Sequence, residues 1–369
     1  MPVPLFDTHT PLEPLRAQID AAIAGVVAQR RFILGPQVAA FEQEFARYCG
    51  TRHAVGVANG TDALTIALRA MGVGPGDVVI VPSFTFYATA EAVPATGARP
   101  VFCDVDPDTQ CITAATVAAA LTPATKAVVA VHLFGNVAPV RDIEALGVPV
   151  LEDAAQAAGT RAAGGRVGAL GRAATWSFFP SKNLACFGDG GAITTDDDGI
   201  AAHARMLRFH GSHDKVTYEH IGYNSRLDEL QAAILRVQLP QLDGWAGGRR
   251  RAARHYADAG LGELVTPPVA APGSDPAWHL YVVRSERADE LAAGLAEHGI
   301  GTKAYYRTPV HRQPAMRPFA DGVQLPVTDE LARTHLALPM SPVLGAEQAA
   351  EVVAAVRAVL GDVPLAVGS

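Results

Sequence analysis

Thr175-Trp176-Ser177-Phe178-Phe179-Pro180-Ser181-Lys182-Asn183 joins an aromatic, β-rich run to a proline turn and ends on a lysine and an asparagine. The run Ala173–Phe178 predicts a buried strand. Downstream, Gly188-Asp189-Gly190-Gly191 makes a glycine-rich turn into a second strand, Gly191–Thr194, close enough to be the antiparallel member of a mixed sheet. Upstream, five more short apolar runs predict strands: His53–Ala58, Asp77–Val81, Arg99–Cys103, Ala127–His132 and Val148–Leu151. Most are apolar throughout, as strands covered on both faces are. Helical patterns lie between them, among them Asp62–Met71, Tyr87–Ala95 and Thr116–Leu121. The alternation predicts an α/β doubly wound fold with a mostly parallel sheet of seven strands.

Farther out, Glu13–Arg31 is amphipathic and predicts a helix. A helical pattern runs over Asp228–Leu239 until Pro240 kinks or ends it. Another follows at Arg249–Ala259, and Thr266–Pro276 is rich in Pro, Gly and Ala, as a linker or surface loop is. From Trp278 the pattern is strand, helix (Ala288–His298), strand and a final helix (Ala346–Leu360). These features predict a large domain over residues 1–240 and a smaller C-terminal α+β domain over 241–369.

Composition narrows the function classes. The 369 residues carry a formal net charge of −7, which gives no electrostatic footprint for nucleic acid. The densest basic run, Arg249–Arg251 with Arg254, is expected to be a solvated helix face. The four cysteines form no C-x-x-C pair and the twelve histidines no H-E-x-x-H motif, so neither a disulfide scaffold nor a metal site is expected. No apolar run is long enough for a membrane span, and the first residues lack a signal peptide's basic start and apolar core. A cytoplasmic protein without membrane or nucleic-acid partners is expected.

Three segments carry candidate chemistry at strand ends, where doubly wound sheets bind ligands. At Ala58-Asn59-Gly60-Thr61-Asp62 a strand gives way to a helix, whose free N–H groups suit a phosphate, although ordinary capping needs the same residues. In Leu151-Glu152-Asp153-Ala154-Ala155-Gln156 a carboxylate reaches a strand end, where it either caps a helix or pairs with a cationic ring nitrogen, as in pyridoxal phosphate. Lys182 is either a surface lysine in a turn or a desolvated nucleophile with a lowered pKa.

Taken together the segments resemble one family. Ser177-Phe178-Phe179-Pro180-Ser181-Lys182-Asn183 followed by Gly188-Asp189-Gly190-Gly191 is similar to the signature of the DegT/DnrJ/EryC1/StrS sugar aminotransferases, which have the aspartate-aminotransferase fold (pyridoxal-phosphate fold type I). The resemblance covers nearly the whole chain and includes, in order, Phe32-Ile33-Leu34-Gly35-Pro36, Asn59-Gly60-Thr61-Asp62, Pro82-Ser83-Phe84-Thr85-Phe86, Asp104-Val105-Asp106-Pro107, Glu152-Asp153-Ala154-Ala155-Gln156, Gly222-Tyr223-Asn224-Ser225-Arg226 and Trp278-His279-Leu280-Tyr281.

The resemblance implies pyridoxal 5′-phosphate held covalently on Lys182, which also serves as the proton-transferring base, and Asp153 paired with the ring nitrogen. It implies Gln156 near the ring's 3-hydroxyl or face, Phe86 stacked on the ring, and Gly60, Thr61 and Ser177 on the phosphate. Asn224 corresponds to a residue that reaches the phosphate from a partner subunit, which implies a homodimer with shared sites. Tyr306 and His311 lie in a loop similar to the family's substrate loop, but Arg307 stands where a proline is usual and Ala185 where glycine is frequent. The implied reaction moves an amino group from L-glutamate or L-glutamine to a nucleotide-linked keto-sugar. Asn224-Ser225-Arg226-Leu227-Asp228 is closer to members acting on 3-keto sugars than to those acting on 4-keto sugars. Cyclitol and aminobenzoate substrates also occur among such proteins. Retention of Lys182 argues against the dehydratases, which replace it with histidine, and a non-catalytic cofactor-binding regulator is a remote alternative.

Overall fold

The computed structural model describes residues 2–361. Met1 and residues 362–369, the outer ends of the two expected domains, lie outside the described residues. Seven strands form the central sheet: β1 (His53–Val57), β2 (Val78–Pro82), β3 (Arg99–Cys103), β4 (Thr125–Val131), β5 (Val150–Asp153), β8 (Ala173–Ser177) and β9 (Gly191–Thr195). A short hairpin, β6 (Arg161–Ala162) with β7 (Gly165–Arg166), interrupts the chain between β5 and β8. The sheet order is β1-β9-β8-β5-β4-β2-β3, and β9 runs antiparallel to both of its neighbours while the others are mutually parallel. The expected mixed, mostly parallel sheet is therefore present.

Strand alternation builds two apolar layers from single strands. Ala127 and Val129 of β4 pack on one face with Val79 and Val81 of β2, whereas Val128 and Ala130 pack on the other with Ile80. Helix α3 (Gly60–Ala70) lies in the first layer and α5 (Ala114–Ala120) and α6 (Val140–Glu144) in the second. A third cluster joins α2 (Pro36–Cys49) to β8 and α8 (Glu229–Gln238), with Phe41, Phe45, Trp176 and Phe178 in edge and stacked ring contacts. Helix α1 (Arg16–Gln29) packs Ile19 on Ile234 of α8. Toward the C-terminus, β10 (Tyr281–Arg284) pairs antiparallel with β11 (His335–Leu338). That pair shares a core with α9 (Leu242–Asp258), α10 (Ala288–Glu297) and α12 (Ala346–Leu360). Helices α4 (Ala88–Glu91), α7 (Asp198–Leu207) and α11 (Pro326–Thr334) complete the set. Among the described residues no helix is long and apolar enough to cross a membrane.

Several elements depart from the sequence reading for identifiable reasons. The helix expected over Tyr87–Ala95 splits into α4 and a 3-10 turn at Pro94–Thr96, because Pro94 cannot continue the ladder. Strand β5 starts two residues later than expected, after Pro149, and so keeps Asp153 in the sheet. Helix α9 begins at Leu242 and runs through Gly244, Gly247 and Gly248. Gly248 is required there, since a Cβ would sit 2.2 Å from the Pro342 carbonyl oxygen. The basic run on this helix is not wholly solvated as expected. Arg249 is buried, its guanidinium reaches the carbonyls of Trp278 (3.2 Å) and Met340 (3.4 Å), and burial lowers its pKa to about 10.

Helix α2 is capped from a distance. Buried Glu229 accepts the N–H groups of Gly35 (2.8 Å), Gln37 (2.9 Å) and Val38 (2.8 Å), which the start of a helix leaves unpaired. Glu229→Ala is expected to lower the unfolding free energy by roughly 3 kcal/mol, the cost of stranding buried donors. Urea unfolding checks this; a change below about 0.5 kcal/mol, the size of an ordinary surface substitution, would show that the cap contributes little.

Candidate active site

The carboxyl ends of β1, β2, β4, β5 and β8 open on a cavity of about 680 Å³. Its wall includes Gly60, Thr61, Phe86, Asp153, Gln156, Ser177, Lys182 and Tyr306, eight of the ten residues singled out in the sequence. The sheet register explains the convergence: Asp153 is the last residue of β5, level with Val131 of β4 and Thr175 of β8.

Lys182 sits in the turn after β8. Phe178 anchors that turn through hydrogen bonds with Gly190 (2.8 Å) and Cys186 (2.7 Å), and the Lys182 N–H bonds back to the Phe179 carbonyl (2.8 Å). The side chain is half-buried. Desolvation lowers the pKa of its amine to about 8, against the opposing pull of the Asp153 charge. Labelling of Lys182 by an amine-directed reagent in cofactor-free protein is therefore expected to rise through a midpoint at about pH 8. A midpoint above pH 10 would show an ordinary surface amine.

Asp153 is buried. Burial raises its pKa, and the Thr89 hydroxyl, the Ala155 N–H and Lys182 act in the opposite sense. Its neighbour Glu152 supports the strand end from behind: it accepts from His132 Nε2 (2.9 Å) and from the N–H groups of Gly168 (2.9 Å), Leu170 (2.8 Å) and Gly171 (2.9 Å). The Ala138 N–H donates to His132 Nδ1 (3.1 Å), which leaves the ring proton on Nε2, facing Glu152.

Helix α3 starts at the cavity. The Asn59 side chain accepts the Asp62 N–H (2.8 Å), and among the described residues no hydrogen bond engages the N–H of Gly60 or Thr61. A Cβ at Gly60 would lie 2.8 Å from the Ser177 Cβ, so glycine lets the helix start approach the end of β8. The resulting cradle of two N–H groups and two hydroxyls at a helix N-terminus has the donor chemistry of a phosphate site. With the Asp153 carboxylate and the Lys182 amine in the same cavity, the residues present fit pyridoxal phosphate.

Gln156 is fixed at both ends: its Oε1 accepts the Phe134 N–H (2.7 Å) and its Nε2 donates to the Tyr306 hydroxyl (3.1 Å). Tyr306 also stacks on Phe134, and burial raises the pKa of its phenol. Phe86 is exposed at the cavity mouth, 6.2 Å from the Tyr306 ring. Arg307 settles the path of this loop in place of the usual proline. It pairs with Asp289 of α10 and donates to the Ala332 carbonyl (3.2 Å) near the end of α11.

Two expected site residues do not line this cavity. His311 is buried beneath the wall, with Nδ1 2.6 Å from the Ser83 hydroxyl. Asn224 is exposed on a β-bridge with Phe209. Conversely, Phe6, Thr85, His279 and Lys303 line the cavity without having been singled out as site residues. His279 lay in the quoted Trp278–Tyr281 motif but carried no role. It is buried, contacts Asn183 Oδ1 through Nδ1 (3.3 Å), and stays neutral because burial, then Lys182 and Arg249, oppose its protonation. Phe6 and Lys303 had no local signal.

Over 363 residues the chain is 48% identical to the dTDP-3-amino-3,4,6-trideoxy-alpha-D-glucose transaminase of Streptomyces venezuelae, covering 96% of this chain and 95% of that one. It is 46% identical to a pleiotropic regulatory protein of Geobacillus stearothermophilus, covering 94% of this chain and 96% of that one. The crystal structure of S. venezuelae DesV in complex with a ketimine intermediate superposes with a TM-score of 0.95 at 47% identity, covering 98% of this chain and 99% of that one. The model of the DegT/DnrJ/EryC1/StrS aminotransferase family matches residues 14–357. The chain belongs to that family and is a pyridoxal-phosphate-dependent aminotransferase of fold type I.

Proposed function

We propose that this enzyme transfers the amino group of L-glutamate, or of L-glutamine, to a nucleotide-linked 3-keto sugar. The observation that carries the reading is the meeting of Lys182, Asp153 and the open start of α3 in one cavity. Pyridoxal phosphate, when bound, supplies an electron-accepting ring that stabilises negative charge on the carbon losing its proton. Asp153 keeps that ring's nitrogen protonated. The amine of Lys182 would hold the cofactor and would serve as the base that moves the proton at the reacting carbon. Gly60, Thr61 and Ser177 would hold the phosphate, Gln156 would approach the 3-hydroxyl, and Phe86 would cover the ring. The S. venezuelae relative's name places its product amine on C3, which supports the 3-keto reading together with Asn224–Asp228. Tyr306 stands on the wall where the sugar enters, and the cavity volume suits a bulky ligand.

The exposed position of Asn224, away from its own chain's cavity, supports its delivery to a partner subunit's phosphate and hence a homodimer. Mixing Lys182→Ala with Asn224→Ala protein is expected to restore activity in heterodimers that hold one intact site; if verified heterodimers stay inactive, the shared site is refuted. The division into domains at residues 240/241 and a cytoplasmic location belong to the same reading.

Nucleotide-linked 3-keto and 4-keto sugars offered with glutamate, with mass detection of the aminated product, test the function. Amination of the 3-keto substrates is expected. Reaction with 4-keto sugars alone would overturn the position. If neither glutamate nor glutamine changes the absorbance of the bound cofactor, the amino-donor half of the reaction is wrong and the regulator reading, which the Geobacillus protein's name favours, gains.

A further inference from the structure

Thr89 of α4 is fully buried and does not line the cavity, yet its hydroxyl lies 2.8 Å from Asp153 Oδ2. A second hydroxyl, Thr85 Oγ1, lies 3.1 Å from Thr89 Oγ1 and does reach the cavity wall. Helical threonines commonly return their proton to the carbonyl four residues back. Thr65 (to Thr61, 3.2 Å) and Thr334 (to Glu330, 2.9 Å) do so in this chain. Thr89 instead spends its proton on a carboxylate 64 residues away.

The proton order follows from the charge of Asp153. An ionised carboxylate only accepts, so Thr89 donates to Asp153, and Thr85 must then donate to Thr89. Asp153 Oδ1 accepts the Ala155 N–H at 3.2 Å, so each carboxylate oxygen is held by one donor and the hydroxyl bond is the shorter. A charge-assisted bond of this kind also fixes the carboxylate's orientation.

We infer that Thr89 is a positioning residue that holds Asp153 ionised and aimed at the cofactor's ring nitrogen, with Thr85 as the next donor behind it. The inference rests on the proposed role of Asp153. Burial of Asp153 favours its neutral form, and the hydroxyl opposes that, so loss of the hydroxyl raises the pH at which the carboxylate is protonated.

The test is binding of pyridoxamine phosphate to cofactor-free protein as a function of pH. Thr89→Val removes the donor at nearly constant volume and is expected to weaken binding roughly tenfold, the scale of one hydrogen bond to a charged group. It is also expected to move the acid-side loss of binding to higher pH. Thr89→Ser keeps the donor and is expected to stay within about threefold of the wild type. Thr85→Val gives a smaller loss in the same direction and serves if Thr89→Val does not fold. In an Asp153→Asn background, Thr89→Val is expected to have no further effect. An equal loss in that background, or a Ser variant as weak as the Val variant, would show packing and overturn the inference. Tight wild-type binding with Thr89→Val unchanged overturns it alone; failure of the wild type to bind pyridoxamine phosphate overturns the Asp153 role with it.

Discussion

Lys182→Ala is expected to lower turnover on the order of 10⁴-fold, the upper range for removing a positioned acid–base group. The loss should appear with every amino donor, because the amine acts on a step common to all of them. The cradle at Gly60, Thr61 and Ser177 is untouched by the substitution, so pyridoxamine phosphate should still bind. Turnover within tenfold of the wild type would refute the central role of Lys182. The same variant reports on the amine's pKa through stability. Below about pH 8 the cofactor-free wild type carries an ammonium in a partly desolvated site, which disfavours the folded state. Between about pH 8 and the unfolded value of 10.5, the unfolded chain binds the proton and the folded chain does not, so wild-type stability rises with pH. Lys182→Ala is therefore expected to unfold at higher urea than cofactor-free wild type at pH 7, with a difference that shrinks toward pH 10.

Asp153→Asn is expected to lower turnover roughly 10³-fold, the scale for losing one preorganised electrostatic partner of the reacting group. The amide occupies the same space but offers no charge to a protonated ring nitrogen. A second effect has the opposite appearance. The Asp153 charge raises the Lys182 pKa, so its removal should bring the labelling midpoint of Lys182 below about 8. A variant that loses activity while leaving that midpoint in place would show that the two groups do not sense each other.

Much of this site could be read before the fold was known. Asp153 ends an apolar strand and Lys182 lies in the turn after another, a pattern that depends on near neighbours, and the resemblance to the family gave both their expected roles. Two boundaries shifted where a rigid proline intervened, at Pro94 and at Pro149. Helix α2, for which the sequence reading set no bounds, starts under a cap from Glu229, about 190 residues away, which no local pattern reveals. Strand β5 is displaced by Pro149. Thr89 had no signal either, because a threonine in a short helix gives no hint of which carboxylate it will meet.

The sequence alone determined the alternation of strands and helices, and with it a doubly wound sheet, while the candidate residues for aminotransferase chemistry came from its resemblance to the family. Local periodicity and strand-end placement are short-range properties, and they survive without tertiary information. Only the tertiary structure decided which of those residues share a cavity. It turned His311 beneath the wall, left Asn224 outside, and brought in Phe6, His279 and Lys303. The reason is long-range packing: the strand order β1-β9-β8-β5-β4-β2-β3 sets the ends of β5 and β8, with Asp153 and Ser177, side by side, while Phe6 stacks on His279, Lys303 bridges Ala337 and His311 meets Ser83, contacts that local propensity does not select.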